Sequence, residues 1–425
     1  MKKTTLLVFA LLLIVTLFAQ DSTAIAVDNA TTVVSSTPFN VDSATQHYLN
    51  MLSPEAKAKS DSYFEGGYWL QIWNLLYGFA VAFIFLHLGL SRRVKNIATK
   101  VKSKNLQNLI YATLYILLVW PITFPFSVYQ DYFREHAYGL SNLTFGAWFI
   151  ENLKGIGIGL LFGAPLIMAL YIALHKTGKS WWIWGATGSV LFIMFVSFIA
   201  PVFLAPIFND YKPLTEGKLK EEILSMARAN CIPATNVYMF DASKQSKRVS
   251  ANVSGFASTT RISLNDNLLN RCTPEEVKAV MGHEMGHYVL NHVYKGIIEF
   301  GVFIFLVFAI VNWLLNKVLS KWGGMLGIED ISDIAGLPLL AVIFSIVTFI
   351  ATPVTNTMIR TQEMEADQFG LNAAREPDAE AHVDIMLSEY RKLNPGKWEE
   401  IFFFDHPSGR VRVETAMKWK AEHLK

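Results

Sequence analysis

A chain of 425 residues that is 52% hydrophobic, with a mean hydropathy of +0.31, lacks the composition of a soluble enzyme and points to a membrane protein. Its 37 Lys and Arg against 35 Asp and Glu leave a net charge of +2, which excludes a basic nucleic-acid surface. Two cysteines, Cys231 and Cys272, exclude a disulfide framework, share no metal-ligand spacing and read as small buried or partly buried residues.

The chain opens with Met1-Lys2-Lys3 and an apolar run over residues 4–19 that ends at Ala19 before Gln20-Asp21. This first unit, residues 1–20, is either a cleaved signal or an uncleaved first span. Residues 21–65 begin rich in Ser, Thr, Asp and Ala with little periodicity, and read as a polar linker. Within 66–208 four apolar runs, at 68–90, 106–128, 155–175 and 181–208, are each long enough to cross a hydrocarbon core. Pro121, Pro125, Pro165 and Pro201 interrupt them in a way a bundle tolerates. Trp69, Trp73, Trp181 and Trp182, near run ends, fit interfacial belts or the lining of a cavity. Two more runs, at 297–319 and 335–356, make up the unit 297–356.

The polar stretch 209–296 is the first candidate for a domain outside the bilayer. Residues 215–229 carry Leu219, Ile223, Met226 and Ala227 at helical spacing. Residues 236–240 and 250–264 read as short strands, the second broken by Gly255. An exposed strand edge can hold an extended peptide through backbone hydrogen bonds, and Ala251, Asn252 and Val253 are the candidates; an ordinary edge strand is the alternative. Thr273, Pro274 and Glu276 then form the start signal of a helix, with a capping box. On that helix lies His283-Glu284-Met-Gly-His287. His283 and His287, four residues apart, share one face and can grip a single Zn²⁺. Glu284 cannot ligate from its offset position but can act as general base toward a metal-activated water. Two helix-face histidines packed without metal are the plainer reading, so a third ligand decides. Extended motifs with a third histidine are excluded, because Leu290 and Val293 stand at the required positions.

The last unit, 357–425, supplies a candidate. Arg360, Glu363 and Asp367 form one polar stripe if the preceding span continues as a helix, whereas Glu365 points away. That stripe is either a solvated face or the source of the missing ligand.

At this point the sequence resembles the integral-membrane zinc endopeptidases called CAAX prenyl protease type I. The likeness rests on His283-Glu-x-x-His287, on Glu363-Met-Glu-Ala-Asp367 and on His406-Pro-Ser ahead of Arg412. Further matches are residues 206–214 with 216–222, and Ser250-Ala-Asn-Val-Ser-Gly-Phe256 before Arg261-Ile-Ser-Leu264. They extend from about residue 60 to the C-terminus.

The resemblance implies that Glu363 is the third zinc ligand, that Asp367 orients a ligating histidine or donates a proton, and that His406 steadies the tetrahedral intermediate. Arg412 would be a structural or oxyanion-side partner. It also implies seven spans around an intramembrane chamber, whereas this chain shows six strong runs plus residues 4–19. The family's Asn-Ala pair in the substrate strand falls on Ser250-Ala251. His292, five residues beyond His287, has no such support and reads as structural. Sidedness conflicts: Arg92, Arg93, Lys95, Lys100, Lys102 and Lys104, with no acid among them, would put that loop in the cytoplasm and the catalytic part outside, whereas the family places it in the cytosol.

The expected molecule is thus a mainly α, multi-pass membrane protein. A bundle of six or seven transmembrane helices would carry a zincin-like domain with a small β-sheet. One Zn²⁺ per chain would serve hydrolysis of a peptide or protein substrate, prenylated or otherwise membrane-associated, beside the bilayer. A quality-control metalloprotease without prenyl specificity is a second reading. A transporter or receptor with a structural zinc is a third, although structural sites close with four protein ligands and three candidates emerge here.

Overall fold

The computed structural model describes residues 39–255 and 260–424; the segment 4–19 lies outside them. Asn40 caps α1 (Val41–Leu49) and Ser53, with Pro54 behind it, caps α2 (Pro54–Leu86). Residues 41–52 are therefore not a solvated linker. Val41, Ala44, Tyr48 and Leu49 form an apolar stripe that packs on a C-terminal cluster around Leu371, Ile385 and Val413. The Tyr48 hydroxyl donates to Asp378 at 2.7 Å. Tertiary burial, not local composition, fixes so short a helix.

Next come α3 (Leu90–Ala98) and α4 (Lys104–Ser127). Then follow α5 (Phe145–Ile158), α6 (Ala164–Thr177) and α7 (Trp181–Ile199). Five stretches are long and apolar enough to cross a membrane: Pro54–Leu86, Lys104–Ala137, Phe145–Phe208, His292–Leu326 and Ile334–Ala374. The third has 64 residues, and as one rod would run about 96 Å, some three hydrocarbon thicknesses. It turns back instead at Gly178, whose φ of +52° glycine adopts without strain. Two arms result, so the described residues make the six crossings that the six apolar runs imply.

The arms close against α11 (His292–Leu326) at Gly185, where a Cβ would lie 3.0 Å from Leu170 and 2.6 Å from Phe308. Tyr111, Tyr171, Trp181, Val311 and Leu340 are the heart of the bundle. Trp181 is thus a core residue and not part of an interfacial belt; its indole N–H donates to Asn312 at 2.7 Å, which makes burial affordable for the polar edge. Trp69 and Trp73 remain exposed, as a belt requires. The basic loop packs at the far end of the bundle, where Ser91 donates to the Ala335 carbonyl at 2.7 Å and Lys95 pairs with Asp333 at 2.9 Å.

At the other end sits a four-stranded sheet: β1 (Tyr211–Pro213), β2 (Val237–Phe240), β3 (Ala251–Ser254) and β4 (Arg261–Asn265), in the order β1-β2-β4-β3. Only β2 and β4 pair parallel. The stretch read as one broken strand is therefore two antiparallel ones, and β3 is an edge. Behind the sheet lie α8 (Lys218–Ala229), α9 (Asp266–Arg271) and α10 (Pro274–Val289). Ile223, Ile262, Leu264, Met281 and Met285 fill the space between them. Cys231 is exposed, contrary to expectation, because it occupies the left-handed turn (φ +57°) that ends α8; Cys272 is half-buried and both are free.

The last span is the start of α12 (Leu337–Ala374), a single helix of 38 residues. It is followed by α13 (Pro377–Leu387), α14 (Lys397–Phe403) and α15 (Gly409–His423). Small residues let α12 cross α10 almost backbone to backbone. A Cβ on Gly370 would meet the His283 nitrogen at 2.8 Å, and one on Gly286 would meet Ala366 at 3.1 Å. Gly370→Ala must therefore push the helices apart. It is expected to destabilise the protein by about 1–3 kcal/mol, as overpacking does, and to lower metal uptake; thermal unfolding and metal analysis of the variant check both.

Candidate functional site

The capping box holds the start of α10: Thr273 Oγ1 accepts from Glu276 N at 3.3 Å and Glu276 Oε2 from Thr273 N at 2.7 Å. Two turns on, His283 and His287 face α12 with Nε2 atoms 3.1 Å apart. Because α12 runs unbroken out of the bundle, it brings Glu363 against both: Oε2 is 3.3 Å from His283 Nε2 and Oε1 is 3.5 Å from His287 Nε2. Tetrahedral bonds of about 2.0–2.1 Å put neighbouring ligand atoms about 3.3–3.4 Å apart, and each carboxylate oxygen lies near that spacing from one imidazole. Two imidazoles and a carboxylate so spaced could hold a divalent metal.

Among the described residues these three alone form such a group, with ligand atoms within 4.8 Å of one another. His406 Nε2 comes within 3.3 Å of Glu363 Oε2 but does not join it, which leaves a fourth position open. Arg360 fastens the His406 segment by donating to the carbonyls of Glu400 at 2.9 Å and Phe404 at 2.6 Å. Glu284 lines a cavity of about 180 Å³ together with His283, Glu363, His406 and Ala251. Asn252 and Val253 lie farther along the β3 edge, half-buried and outside that lining.

Each histidine is gripped from behind. His283 Nδ1 donates to Asp367 Oδ1 at 2.7 Å. Asp367 in turn accepts from Arg412 Nε at 2.9 Å and Nη2 at 2.6 Å. Arg412 therefore stands behind Asp367, with Glu380 at 3.3 Å and Asp384 at 3.0 Å as further partners. On the other side His287 Nδ1 shares a hydrogen bond of 2.8 Å with His292 Nδ1, and His292 Nε2 meets Glu365 Oε2 at 3.0 Å. Sequence reasoning set His292 aside because five residues of helix would carry it off the ligand face. The helix does not continue: Asn291 adopts φ +58°, breaks α10 from α11 and turns His292 back. A tolerant Asn between two helical runs was the available signal. Glu365 does point away from Glu363, as expected, and that is how it reaches His292.

Before a cation is present, burial opposes a charge on His283, but its hydrogen bonds to the Asp367 and Glu363 carboxylates hold its proton affinity well above the ordinary imidazole value. A metal ion would displace that proton. Burial pushes His287 down to about 4, leaving the neutral form that ligates metals. Burial pushes the Glu284 carboxyl up to about 7, against the influence of His283.

The comparisons with known proteins agree with this geometry. The profile of peptidase family M48 matches residues 213–420, and that described as "CAAX prenyl protease N-terminal, five membrane helices" matches residues 41–210. A protein of Bacillus subtilis (strain 168) named uncharacterized metalloprotease YhfN is 30% identical over 339 residues, 79% of each chain. CAAX prenyl protease 1 of Saccharomyces cerevisiae is 23% identical over 404 residues, 88% of each. The crystal structure of S. mikatae Ste24p superposes with a TM-score of 0.72 at 22% identity, covering 89% of this chain and 94% of that one, and shares the fold. With both halves matched and a relative at that identity over most of its length, the chain belongs to peptidase family M48 as a multi-pass membrane metalloendopeptidase of the CAAX prenyl protease type I group.

Proposed function

We propose that this chain is a zinc-dependent endopeptidase of CAAX-type peptides, prenylated at the cysteine, in which His283, His287 and Glu363 hold the metal. The observation that carries the reading is the cluster of His283, His287 and Glu363, whose ligand atoms lie within 4.8 Å of one another, with Glu284 in the cavity beside it. When bound there, zinc supplies a Lewis acid and brings the pKa of a water toward neutrality. Glu284 takes a proton from the attacking water and returns it to the leaving amine. His406, across the cavity, faces the side where charge develops on the carbonyl oxygen. Asp367, backed by Arg412, fixes the tautomer and orientation of His283, and His292 does the same for His287. The outer edge of β3 can take an extended peptide as an added strand, with Ala251 in the lining of the catalytic cavity and Asn252 and Val253 beyond it.

A lipid-bearing substrate is supported by an apolar cavity of about 780 Å³ between α7 and α11. Phe198, Phe300 and Ile304, on two of the membrane-crossing stretches, line it, with Ser254 and Gly255, where β3 ends, in the same lining. The relatives named CAAX prenyl protease point the same way.

Purified protein is expected to carry one zinc per chain and to cleave prenylated CAAX-type peptides faster than their unprenylated twins. Equal rates would favour the quality-control reading. Glu363→Ala is expected to weaken metal binding by more than the about 10–100-fold typical of losing an outer partner; metal content equal to wild type would remove Glu363 from the ligand set.

A further inference from the structure

Beside the active-site cavity lies a second, polar one of about 470 Å³, and Tyr390, Arg391 and His406 line both. Three guanidinium groups, from Arg134, Arg248 and Arg391, face the second cavity. Two of them are engaged. Arg248 Nη2 lies 2.8 Å from Glu135 Oε2 and 2.7 Å from the Tyr63 hydroxyl. Arg134 sits 4.0 Å over the Tyr63 ring and donates to the Tyr63 carbonyl.

Arg391 is different. Among the described residues its side chain makes no hydrogen bond and has no carboxylate within the 4.0 Å of an ion pair. Asp405, the acid in the same lining, is taken by His406 Nδ1 at 2.8 Å. The Arg391 guanidinium stands 6.0 Å from the centre of the Tyr390 ring, and that of Arg248 stands 5.5 Å from the same ring. Two half-buried cations thus stand beside the Tyr390 ring, and Arg391 is the one without a carboxylate partner among the described residues. The planar fork of a guanidinium without a carboxylate partner matches the two oxygens of a carboxylate.

We propose that Arg391, seconded by Arg248, anchors the free C-terminal carboxylate of the peptide substrate. The inference rests on the endopeptidase reading and deepens it. An extended peptide advances about 3.3 Å per residue, and the basic cavity lies beside the catalytic one. A carboxylate held there places the scissile bond a few residues before the chain end, so the enzyme measures its cut from the terminus.

The test uses the full-length protein and two peptides identical except for a C-terminal carboxylate or carboxamide. The wild type is expected to show a KM about 10–100-fold lower for the acid, the equivalent of a charge-assisted hydrogen bond. In Arg391→Gln the acid-to-amide ratio is expected to collapse toward one, and in Arg391→Lys, which keeps the charge but loses the fork, to fall partway. Zinc content reports whether each variant is folded; should Arg391→Gln lose its metal, the ratio in Arg391→Lys decides. Equal KM for acid and amide in the wild type, or a ratio unchanged in the folded variant, overturns the anchor while leaving the protease intact. Equal cleavage that falls for both peptides when phosphatidylglycerol is added assigns the guanidinium to a lipid phosphate and likewise overturns it. No cleavage of either peptide sinks the endopeptidase reading itself.

Discussion

Glu284→Gln is expected to bind zinc like the wild type and to cleave peptides about 10²–10⁴-fold more slowly, the usual contribution of a general base. The side chain lines the cavity with both a candidate ligand and His406, yet belongs to no ligand group among the described residues. The amide has nearly the same shape, so packing and metal geometry survive the exchange, whereas its oxygen cannot carry the water's proton. Burial pushes the Glu284 carboxyl up to about 7 in the metal-free protein, near the value at which a base both accepts and releases a proton readily. Metal analysis and single-turnover cleavage on the same sample separate the two effects. Turnover within a few-fold of wild type would remove Glu284 as the base.

Arg412→Ala is expected to be the most destabilising single change in the catalytic part, at about 3–5 kcal/mol. One guanidinium stands among three buried carboxylates, those of Asp367, Glu380 and Asp384. Burial pushes Glu380 and Asp384 upward, and for both the Arg412 charge is the largest influence against it. Removing that charge strands the acids in an apolar setting and frees Asp367 from the contact that aims it at His283. Thermal unfolding should register the loss. Adding Glu380→Gln and Asp384→Asn to Arg412→Ala should recover part of it, because the orphaned charges are then gone. An unfolding temperature unchanged by Arg412→Ala would show that the acids are neutral and the cluster carries no electrostatic load.

What the sequence disclosed depended on whether the signal was local. The helix carrying His283 and His287 announces itself through Thr273, Pro274 and Glu276, and each apolar run has the length its crossing needs. Glu363 was legible for a related reason: the span it follows continues as helix, so spacing within one element placed it on the stripe with Asp367. Contacts between distant elements left no such trace. The clasp of His292 on His287 depends on a reversal at Asn291, and nothing periodic marks it. Glu380 and Asp384 look like ordinary helix-surface acids until α13 is laid over Arg412. Residues 41–52 have a polar composition and find their fold only against a surface more than 300 residues away, as the bond from Tyr48 to Asp378 shows. The glycines at 282, 286 and 370 were visible as letters, but their purpose is the approach of two helices.

The 38-residue α12 has one more implication. The same helix that is rooted among the hydrophobic helices also carries Glu363 and Asp367 at its other end, with Pro353 between the two parts costing it a backbone hydrogen bond. Tilting is how a long apolar helix adapts to lipids of different acyl length, and a tilt of α12 bears on its close crossing with α10 at Gly282, Gly286 and Gly370. Turnover is therefore expected to vary with the acyl length of the surrounding lipid, which cleavage assays in bilayers of different thickness check.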